Sequence, residues 1–115
     1  MPLTTFDWVE DYPVAVSVCD TQGTILAMNR LAMDLFGQYG GERLIGSSLF
    51  ACHPEPANAI IRELLREQRS NTYCTEKNGV RRLVHQAPWY HYGHFGGLTE
   101  TVLVLPEQME TKQRR

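Results

Sequence analysis

Apolar residues alternate at Val14, Val16 and Val18, break at Asp20-Thr21-Gln22-Gly23 and resume over Thr24 to Met28. This pattern predicts a first hairpin, with strands over 14–19 and 24–28. Gly23 tolerates the positive φ of a tight turn, and Asn29 is placed to cap a helix over 30–36 that stops at Gly37. Upstream, Phe6, Val9 and Tyr12 recur at threes, predicting a short amphipathic helix over 5–11, capped by Thr4 or Thr5 and ended by Pro13.

Short elements follow. Gln38-Tyr39-Gly40-Gly41 reads as loop, and 42–46 and 47–50 as single helical turns with Leu44, Ile45, Leu49 and Phe50 directed inward. Pro54-Glu55-Pro56 then opens the strongest helix. Ala57, Ile60, Ile61, Leu64 and Leu65 fall at i, i+3, i+4, i+7 and i+8, while Arg62, Glu63, Arg66, Glu67 and Arg69 form a solvated face.

The period then changes. Residues 72–77 and 80–90 are strands joined by Asn78-Gly79, the clearest hairpin signal in the chain. Residues 91–97 read as a turn-rich link to a last strand, Leu98 to Leu105, ended by Pro106. Helices segregated from strands in this way indicate an α+β fold with a single antiparallel sheet. On Val80 to Tyr90 one face carries Arg81, Leu83, His85, Ala87 and Trp89, and the other Val80, Arg82, Val84, Gln86, Pro88 and Tyr90. Neither is cleanly apolar, so both faces are expected to be partly covered.

The pattern Asp20-x-x-Gly23-x-Ile25, then Asn29-x-x-Ala32, then Phe36-Gly37 resembles the opening of a PAS domain, the small sensor fold of signalling proteins. Leu44-Ile45-Gly46 with its short helix resembles the usual PAS bridge to the long helix, and the likeness runs over about residues 12–105. It implies a five-stranded antiparallel sheet with short helices and one longer helix packed on one face. Residues 1–11 would be an N-terminal helical cap or dimer segment, and 106–115 a polar tail or linker.

The resemblance also implies a ligand site between the inner sheet face and the long helix, walled by Met33, Phe36, Leu49, Ile60, Ile61, Leu64, Tyr73, Val84 and Gln86. Gln86 is the polar member, offering one donor and one acceptor to a small apolar or mixed ligand, unless it is satisfied by its own neighbours. PAS domains commonly pair through the outer sheet face. By that analogy Val84, Gln86 and Pro88 point inward, while Leu83, His85 and Trp89 point outward and join Phe6, Trp8 and Val9 in a homodimer interface.

Composition narrows the function. The 115 residues suit one domain with one core, and a net charge of -2 with scattered Lys and Arg argues against a nucleic-acid surface. No leader pattern and no apolar run near the roughly 20 residues of a membrane span occurs, so a cytoplasmic chain is expected. Cys19, Cys52 and Cys74 are odd in number and lack Cys-x-x-Cys spacing, which predicts reduced, mostly buried thiols. No nucleophile elbow or phosphate-binding glycine loop is present, so no enzyme is expected.

No cofactor is required by the sequence. Haem sensors resembling this family place an axial His within the long helix, where this chain has none. At the place of the reactive Cys of photoactive flavin members stands Leu49, with Cys52 three residues late. The reading is therefore a sensory or regulatory module that binds a small ligand or partner and passes the change on through a dimer, an effector domain or a partner protein. A ligand-free dimerisation and interaction module, its pocket filled by Phe36, Tyr73 and Trp89, is the alternative. A haem or metal redox sensor using His53, or His85 with His91 and His94, comes third.

Overall fold

The computed structural model describes residues 6–114. Strands β1 (Ala15–Cys19), β2 (Ile25–Met28), β3 (Asn71–Lys77), β4 (Val80–His91) and β5 (His94–Val104) form one antiparallel sheet in the order β2-β1-β5-β4-β3. Between β2 and β3 the chain passes through α1 (Arg30–Leu35), three 3-10 turns at Gly37–Tyr39, Gly41–Leu44 and Leu49–Ala51, and α2 (Glu55–Glu67). This is the expected α+β arrangement with one longer helix.

Asn29 organises the first half. Its Oδ1 accepts from the Ala32 amide at 3.1 Å, capping α1, and from the Val16 amide of β1 at 2.9 Å. Its Nδ2 donates to the Val9 and Val14 carbonyls at 2.9 and 2.8 Å. Buried to 4% exposure, it spends its donor and acceptor capacity on three separate stretches of backbone. The preceding turn is held by Asp20, whose Oδ1 accepts from the amides of Gln22 and Thr24, while Gly23 at φ +84° closes it onto the Asp20 carbonyl.

The expected helix over 5–11 does not form within the described residues. The Asp7 carboxylate accepts from the Glu10 amide, and the Tyr12 amide returns to the Val9 carbonyl, giving a single turn; Asn29 Nδ2 also holds the Val9 carbonyl, whose helical partner would be Pro13, a residue with no amide hydrogen. Thr4 and Thr5, the expected caps, lie outside the described residues. Phe6 is exposed, and Trp8 packs edge-on against Tyr12 with ring centres 5.3 Å apart.

Two hairpins build the other side. Asn78 and Gly79 take left-handed conformations at φ +52° and +78°, as their identities predict. Tyr92 and Gly93 do the same at +51° and +82°, so the expected link over 91–97 is a tight turn, and β5 begins at His94. Tyr is uncommon at such a position; here its ring packs on His91 at 4.4 Å. Gly97, at φ +140°, lies against β1 so closely that a Cβ would collide with the Cys19 carbonyl. The tail over 106–114 has no helix, although Leu105 is buried and its amide bonds to the Arg81 carbonyl.

The inner sheet face is banded. Ala15, Val102 and Val84 are register partners across β1, β5 and β4, and they pack with Ile25, Met28 and Ala32 into one apolar cluster. Cys19 and Leu98 pack with Ile61 and Leu64 of α2 into a second. Between them runs a polar row, Ser17 beside Glu100 beside Gln86 beside Asn71, crossing four strands. The thiols depart from expectation: only Cys19 is buried, while Cys52 and Cys74 are exposed.

Replacing Asn29 strands buried amides and carbonyls at once. N29A is expected to cost at least about 3 kcal/mol, and N29D, which keeps the acceptor and loses the donor, somewhat less. Urea denaturation measures both, and a loss under about 1 kcal/mol for N29A contradicts the anchoring role.

Candidate functional site

A polar row between two apolar clusters cannot be closed over by apolar side chains without stranding its hydrogen-bonding groups. A cavity of about 310 Å³ lies there, lined by Ser17, Val18 and Cys19 of β1, Ile25 and Met28 of β2, Phe36, Tyr39, Leu44, the Cys52-His53-Pro54 segment, Ile61, Gln86, and Leu98, Thr99 and Glu100 of β5. A second, of about 340 Å³, lies toward β3 and adds Ala57, Ile60, Asn71 and Tyr73. His53, Ile61, Gln86 and Glu100 line both.

The polar groups are connected in one direction. Asn71 Nδ2 donates to Gln86 Oε1 at 3.1 Å, and Gln86 Nε2 donates to Glu100 Oε2 at 2.9 Å. Gln86 thus has neighbours for both its functions, which sequence reasoning had set against a ligand-binding role. The chain ends on a carboxylate, which only accepts. Burial first, and then the Glu100 charge, pushes the Tyr73 hydroxyl above its ordinary pKa. Burial also raises the Cys19 thiol, with Asp20 and Glu100 adding to it against a lowering hydrogen bond from the Leu98 backbone. Both groups are therefore held neutral.

Of the nine residues expected to wall the site, Phe36, Ile60, Ile61, Tyr73 and Gln86 line the two cavities. Leu64 and Val84 are buried in the two apolar clusters, and Met33 and Leu49 pack against them, so these four support the wall from behind. Ile60 is half exposed at the second cavity. Sequence reasoning passed over Ser17, Asn71 and Glu100. The available signal was parity: Glu100 falls between Leu98 and Val102, two residues from each, and so shares their face.

On the outer face, Leu83 is half-buried and His85 exposed, with His85 Nδ1 2.7 Å from the Thr72 hydroxyl. Trp89 lies over Gly96, and its Nε1 donates to the Cys19 carbonyl at 3.0 Å, which ties it to its own sheet. It does not line the cavities.

His91 and His94 face each other beside the β4–β5 turn, and His85 stands further along β4. Among the described residues no group of three or more His, Cys, Asp or Glu is arranged to hold a metal. His53 is the imidazole on the cavity wall, and its Nδ1 donates to the Leu49 carbonyl at 2.6 Å. From α2 the cavities receive Ala57, Ile60 and Ile61, none of them an iron ligand, and about 310 Å³ is the small end of the range for ligand cavities. The long helix therefore offers no axial ligand of the kind that haem sensors resembling this family carry there.

A family model for the PAS fold matches residues 9–72. Among solved structures, the Vibrio cholerae VqmA dimer, a LuxR-type receptor, is similar with a TM-score of 0.71 and 16% identity over 93% of this chain and 52% of that one. The chain thus spans about half the length of VqmA. A second VqmA structure, bound to DPO, gives 0.67 and 16% over 85% and 54%. The Aer2 receptor of Vibrio cholerae, a dual PAS-haem oxygen sensor, gives 0.61 and 15% over 81% and 95%. The PAS domain of Bordetella pertussis BvgS gives 0.64 and 18% over 87% and 82%. Comparison with curated protein sequences gives no match. No helix among the described residues is long and apolar enough to cross a membrane.

The electrostatics of the row can be read from Tyr73. Its folded-state value lies above the unfolded one, so its contribution to stability is intact below the ordinary tyrosine value and is lost as pH rises through the raised value. Ultraviolet titration is expected to show one of the five tyrosines ionising late, a step absent from Y73F. In E100Q that step moves only part of the way back, because burial remains. An unshifted step in E100Q removes Glu100 from the account.

Proposed function

The chain belongs to the PAS family, and from that premise we propose that it is a non-catalytic sensory or regulatory module that takes a small ligand between α2 and the inner sheet face. The observation that carries this is the polar row set in the cavity between two apolar clusters. A module whose core served packing alone could fill that band with apolar side chains at little cost, since replacing bonded buried partners together by apolar groups of the same shape is often near neutral or stabilising. Native mass spectrometry of gently purified protein is expected to show a stoichiometric extra mass, lost in S17L, which fills the cavity. Protein of unaltered mass, with a melting temperature that does not respond to metabolite extract, overturns the ligand reading and leaves an interaction module.

A second observation favours pairing as the output. Val16 and Val18 of β1 pair in register with Thr101 and Thr99, and Leu83 of β4 with Leu103 of β5, all on the outer face and all half-buried or less. The regular Val alternation of the first strand is therefore spent away from the core, on a face that a second copy would cover. We propose a homodimer through this surface, extended by Phe6 and Trp8, with the ligand biasing its geometry. Light scattering is expected to give a dimer at micromolar concentration, and a monomer for the L83E/L103E pair. A wild-type monomer at the highest attainable concentration overturns it.

A further inference from the structure

The hydrogen-bond chain in the cavity has a direction, and its direction selects a ligand. Gln86 gives its oxygen to Asn71 and an amide hydrogen to Glu100, so its orientation is fixed and the carboxylate is the terminus. Glu100 lines both cavities, yet no lysine or arginine lines either. The ion pairs among the described residues join Arg30 to Asp11 and Arg62, Arg66 and Arg69 to Glu55, Glu63 and Glu67; none involves Glu100. The His53 imidazole spends its Nδ1 proton on the Leu49 carbonyl. Ser17, the register partner of Glu100 on β1, adds a hydroxyl that can donate or accept. Opposite these groups the wall is apolar, with Phe36, Ile61 and Leu98.

From this geometry we infer that the cavity selects a small organic cation, a primary amine or protonated nitrogen heterocycle of about one ring, whose nitrogen donates to Glu100 and whose apolar body lies between Phe36, Ile61 and Leu98. The inference rests on the cavity reading proposed above. Glu100 is partly buried, and a charge-assisted bond to its carboxylate is stronger than the neutral counterpart, whereas an anion there would meet a like charge. The nearby Tyr73 and Cys19 are held in neutral forms, so they leave the carboxylate as the charge that the ligand meets.

The test uses probes that share a ring and differ in their polar head: benzylamine, benzyl alcohol and benzoate, titrated into the full chain while backbone amide resonances are followed. Benzylamine is expected to bind at least about tenfold more tightly than benzyl alcohol, with benzoate weakest. E100Q, which retains the acceptor for Gln86, is expected to weaken benzylamine severalfold more than benzyl alcohol, so that the gap between the two closes. Equal binding of amine and alcohol by the wild type, or preference for benzoate, overturns the cation inference and leaves the cavity reading standing. If no probe perturbs resonances of the cavity wall, the cavity reading falls and the inference with it. The wild-type ranking decides even where E100Q does not fold.

Discussion

The buried side chain of Asn29 is the constraint on which the first half of the molecule depends. A helix start, a central strand and an irregular amino-terminal segment all need their free amides or carbonyls satisfied away from water, and one amide group meets all three. Its neighbour Arg30 reinforces the junction: its amide bonds to the Glu10 carbonyl and its guanidinium pairs with Asp11 at 2.6 Å. The exposed ion pair adds little by itself. The buried amide fixes where α1 begins, hence where Ala32 enters the core and where Phe36 reaches the cavity.

Across the sheet a different economy applies. The two apolar clusters pack α1 and α2 against the sheet, and the polar band between them is linked through Asn71 and Gln86 to the Glu100 carboxylate, where the links end. Beside that band α2 meets the sheet unevenly. Leu64 is wholly buried against the second cluster while Ile60, one turn away on the β3 side, stays half exposed at the second cavity. A site of this kind is a compromise within the core, with packing given up along one row and retained on either side.

The fold was largely legible in the sequence, because its turns use residues whose conformational preferences are narrow. Asn78-Gly79, Gly23 and the Asn29 cap could be placed from identity alone, and the periodicity of residues 57–65 defined α2. Tyr92-Gly93 was not legible, since a tyrosine in the left-handed region is permitted by its surroundings and not by its own preference. The amino-terminal segment misled too: threefold recurrence of apolar residues promised a helix, whereas the segment is a turn tied through its Val9 carbonyl to a side chain twenty residues downstream. The site was half legible. Gln86 stood out as polar on an apolar strand, but Glu100 looked like ordinary strand polarity until the register placed it beside Gln86.

Glu100 sits on the strand flanked by both β1 and β4, and its sequence neighbours Thr99 and Thr101 emerge on the opposite side of the sheet. Thr101 adjoins Val16 and His85, and Thr99 adjoins Val18 and Ala87. The two sides of the sheet are therefore separated by a single peptide unit at this point, and a tilt of the Glu100 backbone is inherited directly by the residues behind it. A displacement at Glu100 therefore needs no relay of side chains along the strand to reach the opposite face.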